Sequence, residues 1–117
     1  MTGLQIEKSI ADGILTVRLS GEVGLSEEYR FRQQINEVLK DQSPKLIVDL
    51  QQVTLLSSYG IAALVNLWKQ QHAAGGRICV VVPPNHIFDC LSIAGTNKII
   101  PVFHSESEAI ASYAKPQ

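Results

Sequence analysis

An apolar run that breaks into two serines and restarts as a helix constrains this chain more than any other stretch. It reads Val53-Thr54-Leu55-Leu56-Ser57-Ser58-Tyr59-Gly60-Ile61-Ala62-Ala63-Leu64. Ile61, Leu64, Val65 and Trp68 then fall at i, i+3, i+4 and i+7, the spacing of one helix face. Ser57 or Ser58 therefore occupies the N-cap, where a side-chain oxygen accepts from the free N–H groups of the first turn. The same N–H groups and the positive end of the helix dipole also favour a phosphate. The local pattern leaves both readings of Ser58 open, a capping residue or a phosphoacceptor.

The rest of the chain supplies the frame for that turn. Its 117 residues, 45% of them hydrophobic, suit one domain with one core over residues 1–117. The net charge is −1 and the basic residues are scattered, so no basic stripe points to nucleic acid. No apolar run reaches membrane-spanning length, and residues 1–10 lack the pattern of a secretory signal. A cytoplasmic protein with no direct membrane insertion is expected. Cys79 and Cys90 do not form a C-x-x-C pair, and two free, buried thiols are expected of them. His72, His86 and His104 stand apart without acidic companions at ligand spacing, so neither a metal nor another cofactor is expected.

In chain order, residues 4–10 and 14–20 read as strands joined by Asp12-Gly13, a hairpin turn, with Leu15, Val17 and Leu19 on one face. Gly21-Glu22-Val23-Gly24 reads as a loop. Ser26 caps a helix to about Lys40, with Glu27 and Glu28 in its first turn and Phe31, Ile35, Val38 and Leu39 as its stripe; Gln42-Ser43-Pro44 ends it. Residues 45–50 form a buried strand, followed by a loop over 51–56 and the signature helix to about Ala73, closed by Gly75-Gly76. Residues 78–82 form another buried strand. Pro84 begins a short helix closed by Gly95, residues 99–103 form a last edge strand, and Ser105-Glu106-Ser107-Glu108 is a capping box opening a final helix. The order ββαβαβαβα predicts an α/β fold, a mixed, mostly parallel sheet. The helices starting near Ser26 and Ser58, with two shorter ones, should cover one face. Ile47, Leu64, Val65, Trp68 and Val80 should be buried together.

Five phrases of the chain resemble the anti-sigma factor antagonists, the bacterial STAS-domain family. They are Leu19-Ser20-Gly21-Glu22-Val23, residues 45–50, residues 53–64, Gly75-Gly76-Arg77 with Val80-Val81-Val82, and Ile93-Ala94-Gly95 with residues 98–103. Together they span nearly the whole chain. The resemblance implies the STAS fold and partner switching. An unphosphorylated antagonist binds an anti-sigma factor that is also a serine protein kinase, so freeing the sigma factor. Phosphorylation of the antagonist releases it, and a phosphatase reverses the mark. Aligning Gly60 with the signature glycine puts Ser58 on the phosphoacceptor and Glu22, Gly24, Ser57, Ser58 and Tyr59 on the partner-binding surface. The chain departs from the pattern at Ser57 and Gly24, where the family usually has acidic residues, and at Tyr59, where it has a small one.

A non-phosphorylated STAS subunit of a membrane lipid-transport ATPase complex would keep the same fold without needing a phosphoacceptor. An enzyme with Ser58 as nucleophile needs a base and an orienting acid, and no G-x-S-x-G or motif-placed His supplies them. Nucleotide binding lacks a Gly-rich phosphate loop. A non-catalytic interaction protein is the expectation.

Overall fold

The computed structural model describes residues 3–24, 26, 28–41 and 43–114. The expected Glu27 and Gln42, and the side chains of Glu28 and Leu39, lie outside the described residues. In chain order the elements are β1 (Gln5–Ala11), β2 (Ile14–Val23), α1 (Glu28–Lys40), β3 (Lys45–Leu56), α2 (Ser58–Ala73), β4 (Arg77–Val81), α3 (His86–Ile93), a 3₁₀ turn (Thr96–Lys98), β5 (Val102–Phe103) and α4 (Glu106–Tyr113). This is the expected ββαβαβαβα order.

The five strands form one sheet in the order β1-β2-β3-β4-β5. β1 and β2 are antiparallel, with Ala11 opposite Ile14. Asp12 and Gly13 both take positive φ, 54° and 76°, as the tight hairpin turn between right-twisted strands requires. The pairs β2–β3, β3–β4 and β4–β5 are parallel. Helical crossovers between parallel strands bury the middle of β3 on both faces, and Leu46, Ile47, Val48, Asp49 and Leu50 are all buried.

Alternation along the strands divides the interior into two layers. Leu15, Val17, Leu19, Leu46, Val48, Leu50 and Val80 face α1, α2 and α3, which contribute Phe31, Ile35, Val38, Leu64, Leu67, Ile87 and Leu91. The opposite face carries Ile14, Ile47, Cys79 and Val81, covered by Ala109 and Tyr113 of α4. Tyr113 Oη donates to the Leu46 carbonyl at 2.6 Å, satisfying a buried hydroxyl.

Several expectations need correcting. The helices cover both faces, because the connection after β5 places α4 behind the sheet. Ile47 therefore belongs to the α4 layer, apart from Leu64 and Val80. Val65 and Trp68 are only half-buried; the buried line on α2 is Gly60, Leu64, Leu67 and Gln71. Gly21 to Val23 and Gln51 to Leu56 are strand, since the ends of β2 and β3 pair with each other through two register shifts. Extra residues on one strand of a pair are β-bulges, which sequence periodicity conceals. α3 is capped by Asn85, whose Oδ1 accepts from Ile87 and Phe88 N–H, so it starts after Pro84. β5 is only Val102–Phe103, with Ile100 turned into the core ahead of it. Cys79 is buried and Cys90 half-buried, and both are free thiols.

Candidate functional site

The end of β3 delivers the signature turn. β3 pairs with β4 only as far as Asp49, opposite Val81. Beyond that it runs beside β2 alone, with Glu22 opposite Leu55 and Val23 opposite Leu56. The ladder ends with Ser57 N–H donating to the Val23 carbonyl at 2.8 Å. Ser57 is extended (φ −77°, ψ 168°), and its Oγ accepts from Gly60 N–H at 3.3 Å. Its carbonyl accepts from Ile61 N–H at 3.0 Å. Ser57 is thus the N-cap, and Ser58 is the first residue of α2 with an exposed side chain. Two adjacent serines made the cap ambiguous in the sequence; the backbone resolves it. The first turn of α2 contains no acidic residue, so the helix carries no carboxylate of its own to offset its positive field.

Gly60 explains why the signature needs a glycine. A Cβ there would meet Leu56 Cδ1 at 2.7 Å and Val23 Cγ1 at 2.8 Å. The missing side chain lets α2 sit directly on the ends of β2 and β3. Gly24 is buried, while Glu22 and Tyr59 are exposed. The expected residues Glu22, Gly24, Ser57, Ser58 and Tyr59 therefore come together at one end of the sheet. Next to them lies a groove of about 320 Å³ between α1 and α2, with Phe31, Ile35, Tyr59, Ala62 and Ala63 in its walls. Tyr59, 51% exposed, adds apolar surface at its edge.

Sequence reading missed two parts of this arrangement. His86, at the start of α3, places Nε2 2.9 Å from the Thr54 carbonyl. A carbonyl only accepts, so this ring nitrogen carries the proton. Thr54 Oγ1 donates to the Gly21 carbonyl at 3.3 Å. Thr54 falls in the second register shift, between the partners of Gly21 and Glu22, and its outside bonds brace the bulge. The second part is the wall of the groove. Phe31 and Ile35 were expected as core stripe, and Ala62 and Ala63 gave no polar signal.

On the other face of the sheet, Arg18, Asp49 and Glu106 form a charged cluster. Arg18 grips Glu106 with two hydrogen bonds, Nε to Oε2 at 2.7 Å and Nη2 to Oε1 at 2.9 Å. That pair holds the Glu106 carboxyl down at about 2. Burial, reinforced by Glu106, pushes the Asp49 carboxyl up to about 6. Burial likewise raises the Cys79 thiol to about 11, leaving it a protonated, unreactive core group. Glu108 completes a variant of the capping box: its N–H donates to Ser105 Oγ at 3.2 Å, while its Oε1 accepts from His104 N–H instead of the cap's own. Among the described residues no group of His, Cys, Asp and Glu could hold a metal ion, and no helix is long and apolar enough to cross a membrane.

The STAS domain family model matches residues 5–109. An anti-sigma F factor antagonist from Paenibacillus polymyxa is 31% identical over 110 residues, covering 92% of each chain. The crystal structure of an anti-sigma factor antagonist from Mycobacterium paratuberculosis superposes with a TM-score of 0.90 at 23% identity, covering 97% of this chain and 96% of that one. The Bacillus cell fate determinant SpoIIAA, solved in a phosphorylated form, superposes at 0.68 with 18% identity, covering 95% of this chain and 99% of that one. The family model spans most of the chain and the Paenibacillus relative matches it nearly end to end, so this protein belongs to the STAS-domain family of anti-sigma factor antagonists.

Proposed function

We propose that this protein is a partner-switching antagonist. Unphosphorylated, it binds an anti-sigma factor that is also a serine protein kinase; phosphorylation of Ser58 releases it, and a phosphatase restores it. The observation that carries this reading is the division of labour between the two serines. Ser57 takes the capping bonds, which leaves the exposed Ser58 hydroxyl outside the cap at the start of α2. A phosphate there adds about −1.5 to −2 charge to a helix end that tolerates it. The fold survives the mark, so the control acts at the interface, by repulsion and desolvation. The docking surface comprises Glu22, Gly24, Ser57, Ser58 and Tyr59, with the adjoining groove between α1 and α2 taking an apolar side chain of the partner. On this reading the protein works in the cytoplasm, by binding and not by catalysis, as a single domain over residues 1–117.

The test is a titration of the parent, Ser58→Ala and Ser58→Asp against the purified anti-sigma kinase. Ser58→Ala should bind like the parent and resist modification, and Ser58→Asp should bind much more weakly. Equal binding by Ser58→Asp would sink the switch. It would then favour a constitutive binder, consistent with Ser57 and Gly24 standing where the family usually has acidic residues.

A further inference from the structure

The sheet is incomplete along part of one edge. β5 pairs with β4 at Val102 opposite Val80 and Phe103 opposite Val81, and not at the start of β4. Val80 N–H donates to the Pro101 carbonyl and Val82 N–H to the Phe103 carbonyl, each at 2.9 Å. Backbone groups alternate along a strand, so Ile78, two residues before Val80, turns its N–H and carbonyl to that same edge. The register would bring residue 101 to the Ile78 carbonyl, and Pro101 has no N–H to give. Ahead of Pro101 the chain coils away through the 3₁₀ turn, where Ile100 N–H donates to the Thr96 carbonyl at 2.9 Å. Among the described residues, Ile78 therefore finds no hydrogen-bond partner on that side. The start of β4 is nonetheless held firmly. Arg77 N–H donates to the Pro44 carbonyl at 2.8 Å, and the Arg77 carbonyl accepts from the buried Gln71 Nε2 at 3.1 Å.

Ile78 lies in a notch of about 310 Å³. α2 lines it with Trp68 and His72, whose rings stack with centroids 5.4 Å apart. The segment before β5 lines it with Pro101 and with Ile99, which is 44% exposed. The Ile78 side chain joins the core layer under α2. Arg77 points to the other face, where its guanidinium lies 4.7 Å over the Tyr113 ring. No carboxylate lines the notch. Arg77 and the exposed Lys98, next to Ile99, take part in none of the ion pairs among the described residues. The notch is at the far end of α2 from the phosphoacceptor turn, since Ser58 to His72 spans about 20 Å of helix.

We propose that this notch is a second docking surface, which takes an extended segment of a protein partner carrying an apolar side chain followed by an acidic one. The segment adds to β4 as a short strand and gives the Ile78 N–H and carbonyl the partners that Pro101 denies them. Alternation then dictates its side chains. One lies on the α2 face against Trp68 and Ile99, and the next lies on the α4 face beside Arg77. The first must be apolar. The second must be acidic, because the planar guanidinium, stacked on Tyr113, still offers edge donors to a carboxylate. The site does not involve the Ser58 turn, so its occupancy is independent of the state of that serine.

An NMR titration of the full chain tests this. The probe is a pool of synthetic hexapeptides alternating Val or Ile with Asp or Glu; the control pool carries Lys at the acidic positions. The acidic pool should shift the Trp68 indole and the Gly76 to Cys79 amides, and the Lys pool should not. At saturation, Ile78 amide exchange should slow on the order of tenfold more than that of Val80, which already donates to Pro101. Arg77→Gln should weaken binding on the order of tenfold, and Ser58→Asp should leave it unchanged. No binding at millimolar acidic peptide, equal binding of the Lys pool, or binding without added Ile78 protection overturns the proposal. So does binding that Ser58→Asp weakens. Protection of Ile78 that rises with protein concentration in the absence of peptide also overturns it, since the occupant is then a second copy of the chain. If Arg77→Gln does not fold, added sodium chloride decides: affinity of the parent must fall with salt, and a flat profile overturns the charge pairing.

Discussion

Replacing Gly60 with alanine puts a number on how tightly the switch helix is seated. The added Cβ would stand 2.7 Å from Leu56 Cδ1 and 2.8 Å from Val23 Cγ1. Ordinary carbon contacts lie at about 3.5–4.0 Å, so the overlap is roughly 1 Å against both strand ends. Leu56 can swing its terminal methyl, but it is 7% exposed and boxed in. Val23 is 1% exposed and stiff about its first side-chain torsion. The relief must come from α2 lifting off the sheet. Overpacking of this kind costs about 1–3 kcal/mol. Alanine recovers at most about 1 kcal/mol of helix propensity, and less in a first turn. The net expectation is a loss of about 1–2 kcal/mol, read as a lower urea midpoint with an unchanged slope. Adding Val23→Ala should recover part of the Gly60→Ala loss, since the two sites are in contact and their effects should not add. A Gly60→Ala variant as stable as the parent, or more so, would refute the seating argument.

Three further outcomes follow from other parts of the structure. Leu64→Ala removes a side chain that is 0% exposed and should cost about 2–5 kcal/mol in a denaturation curve. Ser57→Ala should lose about 0.5–2 kcal/mol with the cap, whereas Ser58→Ala should stay within about 0.5 kcal/mol of the parent, as surface changes do; thermal melts of the two variants separate the roles. The Glu106 carboxyl is depressed to about 2, so its stabilisation is present above the ordinary value of 4.5 and lost as pH falls through 2. The Asp49 carboxyl is raised to about 6, so its stabilisation is present below 3.8 and lost as pH rises through 6. Their joint contribution peaks near pH 4. Subtracting the melting profile of Asp49→Asn from that of the parent over pH 3–8 should isolate the falling limb, and a difference independent of pH would contradict it.

Local chemistry was legible in the sequence wherever a residue acts through its own neighbours. Asp12-Gly13 specified its hairpin, Ser105 and Glu108 specified a cap, and the serines before Gly60 specified a helix start. Legibility failed where a residue's role depends on a distant strand. Ile47 and Val80 look alike in sequence, yet alternation sends them to opposite layers, and which layer each joins depends on where α4 packs. The loop assigned to residues 51–56 is strand because β2 pairs with it through bulges, which break the period that marks a strand. Pro84 suggested a helix start, but the Asx bonds of Asn85 set it two residues later, at His86. The Arg18–Glu106 ion pair joins residues far apart in the chain, and the capping box that contains Glu106 gave no sign of it. The five residues expected at the partner-binding surface do lie close together, since Glu22 lies at the end of β2, Ser58 and Tyr59 open α2, Ser57 caps α2, and Gly24 follows directly after β2.

The length of β3 has a mechanical consequence. Its first half is bonded on both sides, to β2 and β4, and is part of the rigid body. From Gln52 onward its strand partner among the described residues is β2 alone, and His86 supplies a side-chain tie from α3. The strand therefore projects as a cantilever, clamped at Asp49 and loaded at its tip by Ser57 and Ser58. Val53 and Leu56 root this part in the core, so a load at the tip falls on Thr54, Leu55 and the turn itself. A phosphate or a docking partner can thus move the turn by small amounts while both core layers stay packed, and the bulges and His86 set how stiff that response is.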